Sequence, residues 1–132
     1  MIEQTPYWTI QYETDYNIIV VHWHAPASTM AEEEYKTCVL RFVDLLRQLK
    51  IEKFLVDASA GHLIMLPHIQ EWHDKVIAPQ YEEMGIKKIA FVYPNNITEA
   101  ISLEQTYDEK RARQLHAKFF DDFQNAYRWL IS

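Results

Sequence analysis

The feature that most constrains this chain is the alternation of short, strand-like segments with longer stretches of helical periodicity. After an opening pair of strands, the predicted order is β-β-α-β-α-β-α-β-α. Strands separated by helices pair in parallel, because each crossover brings the chain back to the end of the sheet where it started. We therefore predict one α/β domain over residues 1–132, with a mixed, mostly parallel sheet of about five strands, an N-terminal antiparallel hairpin and four helices.

Five segments have the patterns expected of strands. Residues 7–12 alternate between apolar and polar side chains, and residues 17–23 form a β-branched run, so together they predict the hairpin. Residues 53–57 and 87–93 are short apolar runs typical of strands that are buried on both faces. Residues 115–120 are predicted to form the last strand.

The first helix is predicted to begin near Met30, where Thr29 and Glu32 have the spacing of a capping box. Apolar side chains then recur at three- and four-residue steps and predict the face of the helix that packs on the core. These side chains are Tyr35, Cys38, Val39, Phe42, Leu45, Leu46 and Leu49.

Three further helices are predicted. The second begins at Pro67 and is expected to break at Pro79, because proline lacks an amide hydrogen and clashes with the preceding turn. The third runs from about Thr98 to Arg113, and the last follows Asp121 as a plausible cap.

Charge and composition exclude several classes of partner. Thirteen basic against nineteen acidic residues give a formal charge of -6, and the longest basic run is the pair Lys87-Lys88. Phosphate binding needs concentrated positive charge, so we expect no nucleic-acid partner. No segment approaches the ~18 apolar residues of a membrane span, and Met1 to Pro6 has no signal-peptide pattern. With Cys38 as the only cysteine, these features predict a cytoplasmic protein in a reducing compartment.

Three stretches carry a family resemblance: Val56-Asp57-Ala58-Ser59, the strand Lys88-Ile89-Ala90-Phe91-Val92, and Phe119-Phe120-Asp121-Asp122 with Ala126 and Trp129-Leu130. Together they make the chain resemble the SpoIIAA-like, or STAS-like, families of small bacterial proteins. The resemblance implies a mixed sheet with β-α units. It also implies either partner-switching regulation or the binding of a small apolar or nucleotide ligand.

The sequence differs from that of the antagonist STAS proteins at the position of their regulatory serine. Antagonist STAS proteins carry a phosphorylated serine in an Asp-Ser-Ser-Gly motif at the start of a helix. The corresponding stretch here, residues 64–67, is Ile-Met-Leu-Pro and contains no serine. Ser59, a few residues earlier, is the nearest candidate for phosphorylation.

Two groups of side chains are candidate sites. His22 and His24 alternate on one strand and therefore point to the same face, a spacing that metal sites can use. The alternative is that two histidines at a strand end make ordinary hydrogen bonds. A second group lies after the strand that ends at Asp57, where open α/β sheets tend to bind ligands. Its candidate ligand-binding residues are Asp57, Ser59, His62, His68 and Trp72, with His73 nearby.

The second group has two interpretations. Asp57 can orient a histidine while Ser59 accepts a phosphate or acts as a nucleophile. Alternatively, Asp-x-Ser after a strand is a turn closed by side-chain bonds to its own backbone. The chain has only two glycines and no Gly-x-Ser-x-Gly, Walker or Gly-x-Gly-x-x-Gly motif, so no cofactor is predicted.

Several aromatic residues fall outside the clean core positions, and we expect some of them to be exposed at a protein interface or ligand groove. They are Trp8, Tyr16, Trp72, Tyr81 and Tyr107. A homodimer is expected, since small domains of this kind commonly associate through one self-complementary patch.

Three functions follow as hypotheses. The first is a non-enzymatic STAS-like module that binds a protein partner or a small ligand. The second is a small hydrolase or metal-dependent enzyme that uses the histidines. The third is a carrier of a lipid or other apolar ligand, in which the run from Leu63 to Leu66 borders a cavity.

Overall fold

A computed structural model of the protein describes residues 2–61, 63 and 65–132. The strands are β1 (Glu3–Gln4), β2 (Trp8–Glu13), β3 (Ile18–Trp23), β4 (Lys53–Asp57), β5 (Lys88–Val92) and β6 (Ala117–Phe120). The α-helices are α1 (Glu32–Gln48), α2 (Pro67–Trp72), α3 (Ala78–Met84), α4 (Ile97–Thr106), α5 (Glu109–Leu115) and α6 (Phe123–Ile131). A 3₁₀-helix spans Ala25–Thr29, and a π-helical turn spans His73–Ile77.

All six strands belong to one sheet in the order β1-β2-β3-β4-β5-β6. β1, β2 and β3 pair antiparallel, whereas β3, β4, β5 and β6 pair parallel. The α/β class, the mostly parallel sheet and the N-terminal hairpin are therefore confirmed. The additional strand, β1, has two residues, too few to produce a periodic pattern in the sequence.

The two faces of the sheet are covered unequally. The helices that connect β3 to β4, β4 to β5 and β5 to β6 contribute to one large core with side chains such as Leu46, Tyr81 and Leu103. Helix α6 covers the other face, where Ala126 and Leu130 pack on a smaller cluster. Since consecutive parallel strands are neighbours in the sheet, crossovers of one handedness place all the connecting helices on the same side.

The first helix begins two residues later than predicted. The Thr29 hydroxyl donates to the Pro26 carbonyl within the 3₁₀-helix, so it does not cap α1. Instead, the backbone amide of Ala31 donates to the Glu34 carboxylate at 3.1 Å. The predicted inner face is confirmed, because Tyr35, Val39, Phe42 and Leu46 are buried and Cys38, Leu45 and Leu49 pack partly buried against the same core.

Pro79 does not break the second helix in the way predicted. α2 continues through the π-helical turn at His73–Ile77 directly into α3, and the Ala78 amide donates to the His73 carbonyl, five residues back. A π turn contains one residue more than an α-helical turn. The wider turn accommodates the pyrrolidine ring of Pro79, which has no amide hydrogen to donate and would clash with the preceding turn of a regular α-helix. The π-helical turn begins with His73, a candidate functional residue.

The predicted third helix is two helices. α4 ends at Thr106, and Asp108 starts α5 by accepting from the Arg111 amide at 2.9 Å. His116 adopts a left-handed backbone (φ 56°) after α5, so the last strand begins at Ala117 and Leu115 belongs to the helix. The cap of α6 is Asp122, one residue beyond the predicted Asp121.

Candidate functional site

Asp57 ends β4 at the carboxyl edge of the parallel strands and faces α6. Its register partner on β3 is His22, whose Nδ1 lies 2.9 Å from Asp57 Oδ2. The imidazole is also stacked on Phe123 of α6, with ring centroids 5.4 Å apart. Parallel pairing therefore brings together two residues that are 35 positions apart and that the sequence had assigned to separate sites.

Ser59 binds the other oxygen of the same carboxylate. Its backbone amide and its hydroxyl donate to Asp57 Oδ1 at 3.0 and 2.6 Å. Burial alone would raise the pKa of Asp57, but the hydrogen bonds from His22 and Ser59 outweigh it and lower that pKa. The hydroxyl proton of Ser59 thus goes to the aspartate and not to an imidazole, which is the geometry of a side-chain-closed turn.

The second histidine of the predicted metal pair has a separate partner. His24 Nε2 lies 2.6 Å from Thr9 Oγ1, while His22 holds Asp57. Within the described residues, no three His, Cys, Asp or Glu side chains are grouped in a way that can hold a metal ion. Metal binding by His22 and His24 stays a prediction.

The remaining predicted ligand-binding residues do not join Asp57. His68 Nε2 lies 2.7 Å from Glu32 Oε2 on the surface between α2 and α1. Trp72 packs edge-on against Tyr35, on the face of the sheet opposite to Asp57. His62 lies outside the described residues. Side chains alternate along β4, so Asp57 faces α6 while the helix that carries His68 and Trp72 packs on the other side.

A second feature is a cavity of about 70 Å³ in the main core, which we call the aromatic cavity. Aliphatic side chains, including Val56 and Leu63, form part of its wall, and no charged residue is among the lining side chains described. Its aromatic lining consists of Trp8, Trp23, Tyr35, Phe42, Phe54, Tyr81, Phe91 and Tyr107.

Three of the five aromatic residues that fall outside the predicted core positions, some of which were expected to be exposed, line this cavity. Trp8, Tyr81 and Tyr107 are 2%, 3% and 7% exposed. Only Tyr16, at 53%, is exposed to the degree that the sequence suggested for the group. The surplus of aromatic residues thus belongs mainly to the interior.

A buried hydrogen-bonded group formed by three rings lies in the cavity wall. His73, from the π turn, is 5% exposed and lies between two tyrosines: the Tyr35 hydroxyl is 2.7 Å from Nε2, and the Tyr107 hydroxyl is 3.3 Å from Nδ1. Burial lowers the pKa of His73 to about 4, so its ring is neutral at pH 7. Burial also raises the pKa of both tyrosines, which keep their protons.

His73 was assigned by sequence only to the neighbourhood of the other histidines. Its position four residues after Ile69 and four before Ile77, both buried, is a signal that it belongs to the inner face of the helix. Its two tyrosine partners are 38 and 34 positions away, and no local pattern connects them.

An open groove of about 500 Å³ lies on the surface next to the aromatic cavity. It runs between the 3₁₀-helix and α2, with Met30 and Leu66 in its walls. Tyr35, Leu63 and Met65 line both the groove and the cavity. These three side chains therefore stand between the interior space and the solvent.

Comparison of the chain with protein-family models, with curated proteins and with solved structures found no match in any of the three. Among the residues that the structure describes, no helix combines the length and the apolar character needed to cross a membrane.

Proposed function

We propose that this protein is a non-enzymatic, STAS-like binding module whose ligand is a small, mainly apolar molecule held in the aromatic cavity. The observation that carries the proposal is the cavity itself, a space of about 70 Å³ lined mainly by aromatic and aliphatic side chains. Leu63 and Met65 border it, as the carrier hypothesis requires.

An empty cavity lowers stability because its walls lose van der Waals partners. At roughly 24 cal/mol per Å³, a void of about 70 Å³ costs on the order of 2 kcal/mol. A single water needs only roughly 10–15 Å³ and two or more polar partners, so it would leave most of the apolar wall of this cavity without contacts. An apolar ligand restores the lost contacts without needing such partners, and it therefore fits this space better than water.

The test is native mass spectrometry of protein purified without denaturant, paired with a variant that fills the cavity. We expect a bound small molecule in the natural protein and its loss in Val56→Phe, whose ring occupies the space. Val76→Phe is the matched control, because Val76 is exposed and does not line the cavity. A clean apo mass, with no thermal stabilisation of the protein by small apolar compounds, would remove the proposal.

The enzyme alternative would rest on His22 and Asp57. Their bond orients an imidazole, but the Ser59 hydroxyl donates to the carboxylate and not to that imidazole, so the geometry does not supply an activated serine. Metal analysis of the purified protein separates the hypotheses. Stoichiometric metal that disappears in His22→Ala would count against the binding module.

The homodimer also enters as a proposal. Ile97 and Ile101 lie one turn apart on α4 and are 78% and 49% exposed, so they offer an apolar stripe to a second copy. Sedimentation equilibrium measures the mass in solution. We expect a dimer that Ile97→Lys dissociates, and a monomer at high concentration would exclude it.

A further inference from the structure

The group formed by Tyr35, His73 and Tyr107 has one hydrogen-bond donor more than its own acceptors can use, and the buried Trp8 Nε1–H, which also belongs to the cavity lining, has no partner among the residues described. At pH 7, Tyr35, Tyr107 and neutral His73 together carry three polar protons, one on each residue. They form two hydrogen bonds with each other, at 2.7 and 3.3 Å. One proton is therefore left over.

Which tyrosine carries the unpaired proton depends on the tautomer of His73. The number of unpaired protons in this group of three residues is one for either tautomer. If His73 is protonated at Nε2, it donates to Tyr35 and the Tyr35 O–H is free. If it is protonated at Nδ1, it donates to Tyr107 and the Tyr107 O–H is free. Neither hydroxyl has another acceptor among the residues described. Either way, a tyrosine O–H that belongs to the cavity lining stays unpaired.

An unpaired buried donor is costly. Leaving such a group without a partner costs about 1–3 kcal/mol. The Thr106 hydroxyl, which also lines the cavity, already donates to the Ser102 carbonyl, so it adds no further free proton. A ligand oxygen would therefore satisfy a group that the protein leaves open.

The chemistry of the walls limits what that oxygen can belong to. No lysine, arginine or carboxylate is among the described lining residues, and an unpaired ionic ligand in such a site would be strongly disfavoured. Aromatic walls favour stacking and edge-to-face contact with a ring. A neutral carbonyl oxygen accepts from an O–H without bringing a donor that would need its own partner.

We propose that the ligand of the aromatic cavity is an uncharged compound that joins an apolar ring to a carbonyl oxygen, and that this oxygen accepts the surplus tyrosine proton. This inference rests on the proposed binding function and specifies its ligand class. A cavity of this kind would form a specific hydrogen bond with its ligand, whereas a purely apolar cavity would make only van der Waals contacts.

The probe is a pair of compounds of nearly the same shape. Acetophenone carries a ring and a carbonyl, and α-methylstyrene replaces that oxygen by a methylene group. A cavity without a donor would prefer α-methylstyrene by about tenfold or more, because the ketone would lose its water hydrogen bonds without replacement. We expect acetophenone to bind at least as tightly in isothermal titration. Its bound carbonyl stretching band should lie at a lower wavenumber than in hexane.

Variants test the proton count. Tyr35→Phe removes one proton and one hydrogen bond, so a donor remains and the preference for acetophenone should persist. The triple variant Tyr35→Phe, His73→Leu, Tyr107→Phe removes the polar groups of these three residues but keeps the Trp8 Nε1–H, so it should move the preference toward α-methylstyrene. Adding Trp8→Phe removes that donor as well and should give a preference for α-methylstyrene of about tenfold or more. Replacing both partners of a buried hydrogen bond by apolar groups is often nearly neutral for stability.

The outcomes are distinguishable. If both probes bind but α-methylstyrene binds about tenfold more tightly to the natural protein, with a hexane-like carbonyl band for acetophenone, the ligand class is wrong while the binding function stands. If neither probe binds, both proposals fall. Should the triple variant not fold, the comparison of the two probes on the natural protein and the infrared band still decide the question.

Discussion

His22 and Asp57 face each other directly across β3 and β4, and the imidazole Nδ1 lies 2.9 Å from Asp57 Oδ2. This bond ties together two central parallel strands at their carboxyl edge. It also counteracts the effect of burial on the Asp57 carboxyl, whose pKa is lowered in spite of its partial burial. The pair is therefore a measurable contributor to stability.

We expect His22→Leu to lower the free energy of unfolding at pH 7 by about 1–3 kcal/mol and to raise the pKa of Asp57, because an acceptor loses its donor while staying buried. A carboxyl with a lowered folded pKa adds stability above its unfolded pKa of about 3.9, and this contribution disappears as the pH falls through the folded value. The deficit of the variant should accordingly shrink in acid.

Urea denaturation at several pH values and an NMR titration of the carboxyl carbon check this. Thr9→Val is the matched control, because it removes the neighbouring bond to His24 and leaves Asp57 untouched. An equal change of the Asp57 pKa in the two variants would contradict the assignment.

Ser59 offers a test of the phosphorylation hypothesis. Because its hydroxyl donates to Asp57 Oδ1 at 2.6 Å, a negative group at this position would face a carboxylate. Ser59→Asp should destabilise the protein by about 1 kcal/mol more than Ser59→Ala, which only removes the hydrogen bond. Thermal unfolding at low ionic strength measures the difference. If the two variants unfolded at one temperature, the repulsion would be absent and modification at Ser59 would be structurally tolerable.

His73 should make the protein sensitive to mild acid. Its folded pKa of about 4 lies below the unfolded value of about 6.5, so the unfolded chain takes up the proton first. Its contribution is complete above pH 6.5 and is lost as the pH falls from 6.5 to about 4, by a total on the order of 3 kcal/mol.

Guanidinium unfolding across this range checks the prediction against His73→Gln, which keeps polar atoms for both tyrosines but does not titrate. The stability of the natural protein should fall more steeply than that of the variant. Parallel curves for the two proteins would show that the ring is not held neutral by burial.

The two glycines should respond differently to substitution. A Cβ at Gly61 would lie 2.7 Å from the Trp23 Cβ, which is close to the main chain and cannot swing away, so Gly61→Ala should cost about 1–3 kcal/mol. At Gly85 there is open space but a left-handed backbone, φ 73°, which costs an alanine about 1–2 kcal/mol.

Asparagine separates the two causes, because it tolerates the left-handed region. Gly85→Asn should recover much of the stability lost in Gly85→Ala, whereas Gly61→Asn should be no better than Gly61→Ala. Equilibrium unfolding of the four variants gives the comparison. Recovery at position 61 would mean that backbone conformation, and not the approach of Trp23, determines the cost there.

The fold was largely predictable, because strand and helix periods are local. Residues 53–57 form a strand with the predicted bounds, and the inner face of α1 is the predicted one. The errors lie where tertiary packing decides, as at Pro79, where a π turn replaces the expected break.

The candidate site was less predictable, because its geometry depends on register. The sequence singled out His22, Asp57 and Ser59 but could not pair His22 with Asp57, since that pairing follows from the alignment of two distant strands. The sequence predicted that some of five aromatic residues are exposed but could not identify which, and Trp8 and Tyr107 are buried around the cavity. A cavity is a property of many distant side chains at once, and no single segment encodes it.

The unequal covering of the sheet has a consequence for biosynthesis. The ribosome delivers α6 after all the strands that it covers. Until its nine residues emerge and dock, the apolar strip formed by Ile18, Val20, Leu55, Ala90 and Val92 is exposed to solvent or to a chaperone. Nascent chains stalled just before residue 123 should therefore be the form most prone to aggregation, because the apolar face that α6 covers is then still exposed.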